Sequence, residues 1–430
     1  SNTAVGYAAL QNLTTGGSNV ALGFQALRDS TTGSSNIAIG QNALVYNSSG
    51  ANNVGVGQNA CFNTTTGTTN VGVGSNALLS NTTGDRNVAV GFNALDACTT
   101  GSQNIGVGAD ALSTLTTGVY NVAVGDDALG AATTSNRNTG IGLSAGREIT
   151  TGAFNTAVGS AAMGGATTIT GSDNIALGSW HDGVIEGPLA AVSSGGLNTA
   201  IGNGCLRALT TASHNHAIGY SALSAVTTGD GNVALGYQAG DVITDGTGNC
   251  AIGNMADCGG GSAVNRIAIG NQVNCQSNNR ISVGQGSQIA SLELNGSDTS
   301  WAASSDERLK ENVVVSTAGL SFINDLRPVT YNWKKAKDVP SNLPQYIDGS
   351  DDPCLGATYG TQLHGFIAQE VKTVLDNHPE VKDGQGVWQT DETSVQTLAP
   401  AALVPMLVKA IQEQNALIEA LTTRITTLEG

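Results

Sequence analysis

Ser305 and Lys310 stand five positions apart in the run Ser304-Ser305-Asp306-Glu307-Arg308-Leu309-Lys310. A serine hydroxyl is a weak nucleophile until a neighbouring base takes its proton. Lysine can be that base only when neutral, and a free lysine titrates at about 10.4. Burial lowers that value by several units, so the pair reads as a nucleophile and base awaiting burial of Lys310. A step of five does not align on a helix, which places the two on an extended or turned segment. Asp306 and Glu311 are near enough in sequence to orient the lysine. The duller reading is a polar linker that contains a serine and a lysine.

The run sits on a seam in composition. The 304 residues before Ser305 hold no lysine and one proline, whereas every lysine and the other seven prolines follow it. At 430 residues the chain exceeds one ordinary core. Aromatics at 4% and 58 glycines are too poor in bulk for a conventional core, yet 40% apolar residues exclude plain disorder. Thin, repetitive architecture fits. The net charge of −16 and the absence of a basic stripe argue against nucleic acid. No run of 18 apolar residues occurs, so no membrane insertion is expected. The boundaries read as a repeat region over 1–286, a linker over 287–304, and a C-terminal unit over 305–430.

A 17-residue period governs the first region. Pentads such as Asn87-Val88-Ala89-Val90-Gly91 close on glycines at 6, 23, 40, 57, 74, 91, 108, 125, 142 and 159, then at 178, 202, 219, 236, 253, 270 and 284. The alternation within them marks a short strand with one large and one small face. The Asn four before the glycine recurs in 15 of 17 copies, and stacked coils would set these amides in a ladder. Gly84, in Thr82-Thr83-Gly84, is expected to supply a positive φ to a tight turn. The fold class is thus mainly β, a β-solenoid or β-roll rod of about 80 Å at roughly 4.8 Å per coil. Cys61 and Cys205 stand where sister copies carry Ala or Leu, and read as buried small hydrophobes.

These pentads resemble the N-[ST]-V-A-I-G head repeats of trimeric bacterial adhesins and related repeats of viral fibres, with a longer period. That resemblance implies a homotrimer. The period breaks around Ser179–Leu197, and insertions in solenoids become surface loops. Trp180, His181, Asp182 and Glu186 are the candidates there for touching a host-surface glycan or protein receptor. The chain starts in phase at Ser1-Asn2 and reads as a piece whose attachment region lies elsewhere.

From Leu407 the apolar positions Leu407, Ile411, Ile418, Leu421, Ile425 and Leu428, with a polar layer at Gln414, follow steps of four and three. This is a heptad seam, giving a coiled coil over about 403–430. Ile and Leu at these positions favour two strands by the peptide rule. The motifs S-S-D-E-R-L-K-E-N-V (304–313), H-G-F-I-A-Q-E-V (364–371) and L-V-P-M-L-V-K-A-I-Q-E-Q (403–414) resemble the self-cleaving intramolecular chaperone domain of phage tailspikes, tail fibres and endosialidases. The resemblance implies a small α+β domain that trimerises the fibre, guides its folding and is released by autoproteolysis. Carried over, the scissile bond is Ser304–Ser305, the nucleophile Ser305 and the base Lys310. His364 joins Asp306 and Glu311 as a candidate orienting group.

The expectation is a virion fibre assembled in the host cytoplasm, with single-turnover peptidase activity on itself and no cofactor. Two alternatives compete: a cellular surface adhesin, or a polysaccharide-degrading tailspike using Asp126/Asp127 or Asp182/Glu186. The latter needs a carboxylate pair flanking a cleft. The G-x-G pairs open no helix and reach no G-K-[ST], so they are not phosphate loops. The five histidines show no metal spacing, and no metal is expected.

Overall fold

The structure, a computed structural model of residues 1–430, describes the chain apart from residues 166–167, 180–186, 295–301, 304–310, 312, 344, 356–361, 382–386, 391–395 and 430. It divides into two compact units, Ser1–Ser305 and Asp306–Gly430.

The first unit is a β-solenoid. Seventeen short strands, β1 (Thr3–Val5) to β17 (Arg280–Gln285), pair in parallel with the strand one coil on, making sixteen turns among the described residues. The register is constant: Val88 faces Ile105, which faces Val122. The irregular steps keep it, since Thr156 faces Ile175 and Ile175 faces Thr199. The insertions therefore leave the sheet register intact.

From β2 onward the small residue between the two large ones, Ala or Gly in nearly every coil, points inward and is buried. The large Val, Ile and Leu on either side point outward. Behind the sheet, the Ala-Leu pair of each coil closes the core, with Leu27, Leu44, Leu78, Leu95, Leu112 and Leu129 fully buried in one column. Cys61 takes a place in that leucine column and Cys205 one in the alanine column beside it, both as free thiols, and burial pushes Cys61 up to about 12. The interior is narrow because the sheet contributes only methyl groups or hydrogens to it.

Two glycine columns have different causes. Gly91 ends its strand at φ 139°, and a Cβ there would lie 2.3 Å from the carbonyl oxygen of Gly108 one coil on. Gly84 was expected to provide left-handed backbone; it does not. Its requirement is room, because a Cβ would meet Gly101 O at 2.2 Å and Asn81 Oδ1 at 2.5 Å. The left-handed positions of that coil are Arg86, Asn93 and Leu95, with φ of 52° to 56°.

The asparagine column forms the ladder the sequence implies, in a more connected form. Asn104 is fully buried. Its main-chain N–H donates to Asn87 Oδ1 at 3.0 Å, and its Nδ2 donates to the same oxygen at 3.2 Å and to Gly118 O at 2.8 Å. Its own Oδ1 accepts from Asn121 in the same way. The amide thus satisfies main-chain groups of the following coil and the side-chain oxygen of Asn87 in the preceding one, as a buried polar group requires. Arg266 ends the run: its N–H takes Asn249 Oδ1, and its guanidinium reaches Cys258 O at 2.6 Å.

The stretch expected as linker over 287–304 contains structure. β18 (Gln288–Glu293) pairs antiparallel with β17, and β19 (Ala302–Ala303) pairs with β18. This hairpin occupies the hydrogen-bonding edge that a further coil would otherwise take.

The second unit is α+β. It contains α1 (Leu320–Asp325), the pair β20 (Val329–Tyr331) and β21 (Leu363–Gly365), α2 (Ala368–Asn377), the pair β22 (Trp388–Thr390) and β23 (Gln396–Leu398), and α3 (Val404–Glu429). Its core gathers Phe322 with Leu326, Val371, Leu375, Val381, Val387 and Leu403.

Candidate functional site

Ser304, Ser305, Asp306 and Lys310 lie outside the described residues, as do Trp180, His181, Asp182 and Glu186. Glu311 is described and exposed. What the structure supplies is the body of the unit that begins beside the Ser-Lys run.

His364 lies mid-strand in β21, opposite Thr330 of β20, and its side chain is exposed. With Pro328, Val329, Gly365 and Phe366 it lines an open groove of about 540 Å³. Phe366 packs against the core. The start of α2 follows directly, and Glu370 on its first turn forms a two-pronged ion pair with Arg327; one contact, Arg327 Nε to Glu370 Oε2, measures 2.9 Å. The guanidinium holds the Glu370 carboxyl below its usual range. The H-G-F-I-A-Q-E-V motif is thereby a strand end, a core anchor and a helix start, fixed to the loop after α1 by one charge pair.

A second polar centre joins α1 to the end of α2, and sequence reasoning did not find it. His378 is 7% exposed. Its Nε2 lies 2.8 Å from Asp325 Oδ2 and its Nδ1 lies 2.7 Å from Glu380 Oε1. The ring stands edge-on to Phe322 at 5.4 Å between centroids. Hydrogen bonds to Asp325 first, and then Glu380, raise the imidazole pKa above its ordinary value. The only signal in the sequence was the local His-Pro-Glu; Asp325 lies 53 residues away.

The terminal helix is tied to the start of α1. Glu413 Oε2 accepts the N–H of Leu320 at 2.8 Å, capping α1. A Cβ on Gly319 would fall 2.3 Å from that carboxylate, so a larger residue there would displace the Glu413 side chain. Ala410 is buried, whereas the heptad positions remain bare: Ile411 is 56%, Ile418 53% and Leu421 57% exposed.

Residues 305–379 match the peptidase S74 family, described as the chaperone of endosialidase. The chain carries a chaperone-of-endosialidase domain. Neither a curated protein nor a solved structure matches the chain. The match begins at Ser305 and takes in Asp325, Arg327, His364, Glu370 and His378, while Glu380 and α3 with Glu413 lie beyond it. The family implies autoproteolytic activity in general and a trimeric state in general, and with the solenoid it fits a fibre that carries its chaperone at the C-terminal side.

The remaining candidates are placed as follows. Asp126 is exposed, and Asp127 beside it is paired with Arg147 at 2.7 Å; the two are consecutive on one coil and do not face each other. His216 opens a strand and His214 lies before it at φ 61°. Among the described residues no group of three or more His, Cys, Asp or Glu side chains is arranged to hold a metal. One exposed feature spans three coils: Arg137 stacks on Tyr120 at 5.4 Å and on Phe154 at 5.2 Å.

Proposed function

We propose that the protein is a homotrimeric virion fibre whose solenoid serves host adhesion, and whose chaperone domain trimerises it, folds it and then cuts itself off at Ser304–Ser305. In this reading the Ser305 hydroxyl adds to the Ser304 carbonyl carbon as Lys310 accepts its proton. The Ser305 amide nitrogen leaves, and water then hydrolyses the resulting ester, freeing the rod with Ser304 as its last residue. Each chain cuts once. The observation that carries the reading is a coincidence of boundaries: the family match starts at Ser305, and the fold divides between Ser305 and Asp306.

The bare seam of α3 supports the trimer, because an isolated helix with Leu407, Ile411, Ile418, Leu421, Ile425 and Leu428 in water gains by pairing with sister helices. Burial of Lys310 on assembly would depress its pKa and couple cutting to correct association. Adhesion is supported by the period break at Trp180–Glu186, and the receptor is a host-surface glycan or protein.

A denaturing gel tests the peptidase step. The parent chain should release a fragment of residues 305–430, while Ser305→Ala and Lys310→Ala remain whole. A parent that trimerises and stays uncut would reduce the domain to a trimerisation unit.

A further inference from the structure

The outward face of the solenoid sheet is apolar from end to end. Each of the seventeen strands presents two outward positions, from Thr3 and Val5 to Ile281 and Val283. Of these 34 positions, 28 are Val, Ile or Leu; the others are four threonines, His216 and Cys250. None carries Asp, Glu, Lys or Arg. The face is bare in the single chain: Ile105 is 38%, Ile141 41%, Ile218 42% and Leu235 48% exposed. At roughly 4.8 Å per strand and about 10 Å across three residues, it covers on the order of 800 Å². That exceeds the largest patch of an ordinary monomer and equals what one partner contributes to a standard interface.

We propose that this face is the interface of the rod with further copies of the same chain, sheet against sheet, at equal height. The pitch selects the partner. A ribbon of side chains repeating at every coil is matched along its whole length only by a surface of the same repeat, which another copy supplies. The same chain leaves a second apolar strip bare, the seam of α3, which calls for the same partner. The number of copies, three, rests on the trimeric reading above; the choice of face does not. Association here places the small residues inside each coil and the large ones between coils of different chains. It thus supplies the bulk that each narrow core lacks.

Single cysteines test the proposal in the full chain, with Cys250 and Cys354, the two partly exposed native thiols, replaced by Ser. Ile105→Cys and Val124→Cys lie on the face; Thr117→Cys lies on an exposed turn. A short bis-maleimide should shift most of the Ile105→Cys and Val124→Cys chains to a cross-linked dimer on a denaturing gel and leave Thr117→Cys monomeric. Sedimentation of the same samples separates the two readings. A trimer without cross-links at Ile105 and Val124 overturns the interface and keeps the trimeric reading. A monomer overturns both. As a second variant, Ile105→Asp with Val107→Asp should dissociate the rod after removal of residues 305–430 while its β-sheet circular dichroism persists. Continued association of that variant also overturns the proposal.

Discussion

In the rod the main polar feature of the interior is the asparagine ladder, in which each amide pairs with the copy of itself one coil away, 17 residues in the regular coils. In the chaperone domain the polar groups are charged and pair across long stretches of chain: Arg327 with Glu370 over 43 residues, and Asp325 with His378 over 53. The cores differ likewise. The rod repeats one thin layer, an Ala on the sheet and a Leu behind it, whereas the chaperone surrounds a single buried Phe322. A repeated layer can form anywhere along its length, and it can also form one coil out of register at little local cost. A unit built on unique long-range pairs has one arrangement. The difference assigns the tasks: extent to the rod, register to the chaperone.

The largest effect should come from striking the unique core. Phe322→Ala deletes a fully buried ring, which costs about 3–5 kcal/mol at such sites. Against a typical total of about 5–15 kcal/mol, little stability remains for the whole unit. The expected outcome is loss of amide protection throughout 313–429 in hydrogen exchange of the full chain, with failed trimerisation and no released fragment. Protection confined to a local loss around α1 would break the contrast, because it would mean that the chaperone too is modular.

The matching strike on the rod should be weaker and local. Asn104→Ala removes the acceptor of the Asn121 N–H and the donor to Gly118 O, leaving buried groups unpaired at roughly 2–4 kcal/mol in sum. Exchange should rise in the coils from Asn87 to Asn138 and stay unchanged in distant ones. Unfolding of the entire rod by this one substitution would show that the solenoid is as cooperative as a globular domain.

The rod was legible in the sequence because periodicity states one fact seventeen times. Strand positions, the asparagine ladder and the two columns containing Cys61 and Cys205 all follow from aligning the copies. Which face of the strand points inward did not follow, because alternation of Ala and Val is the same pattern from either side. The role of Gly84 was misread since a Thr-Thr-Gly turn looks like a demand on φ, while the real demand comes from the Gly101 carbonyl of another coil. The strand at Gln288–Glu293 was hidden because it pairs outside the period. In the C-terminal unit the motifs marked the family, and the periodic α3 marked itself. The His378 centre did not, because nothing local ties Asp325 to a histidine 53 residues later.

That centre gives the smallest effect and the one that separates the two regions by pH. The folded-state pKa of His378 is raised, by Asp325 first and then by Glu380, so the protonated ring is the form that the fold favours. Its contribution is fully present below the unfolded value of about 6.5 and is lost as pH rises through the raised value. The rod's strongest titrating carboxyl behaves differently. Burial raises Asp257 to about 6, so as pH rises the contribution of its protonated form is lost between about pH 4 and 6, and that loss is complete by neutrality. From pH 6.5 to 7.5, below the range in which the rod's buried thiols would ionise on unfolding, the chaperone should therefore loosen while the rod stays nearly constant. Hydrogen exchange, corrected for the intrinsic rate at each pH, should show falling protection at Leu320–Asp325 and Val371–Val381 in the parent, with no change from Val20 to Ile252. His378→Gln keeps a hydrogen-bonding side chain but cannot be charged, so it should start less protected and lose the slope. A slope that survives in His378→Gln would assign the pH response to another group, and a flat parent would remove the electrostatic half of the contrast.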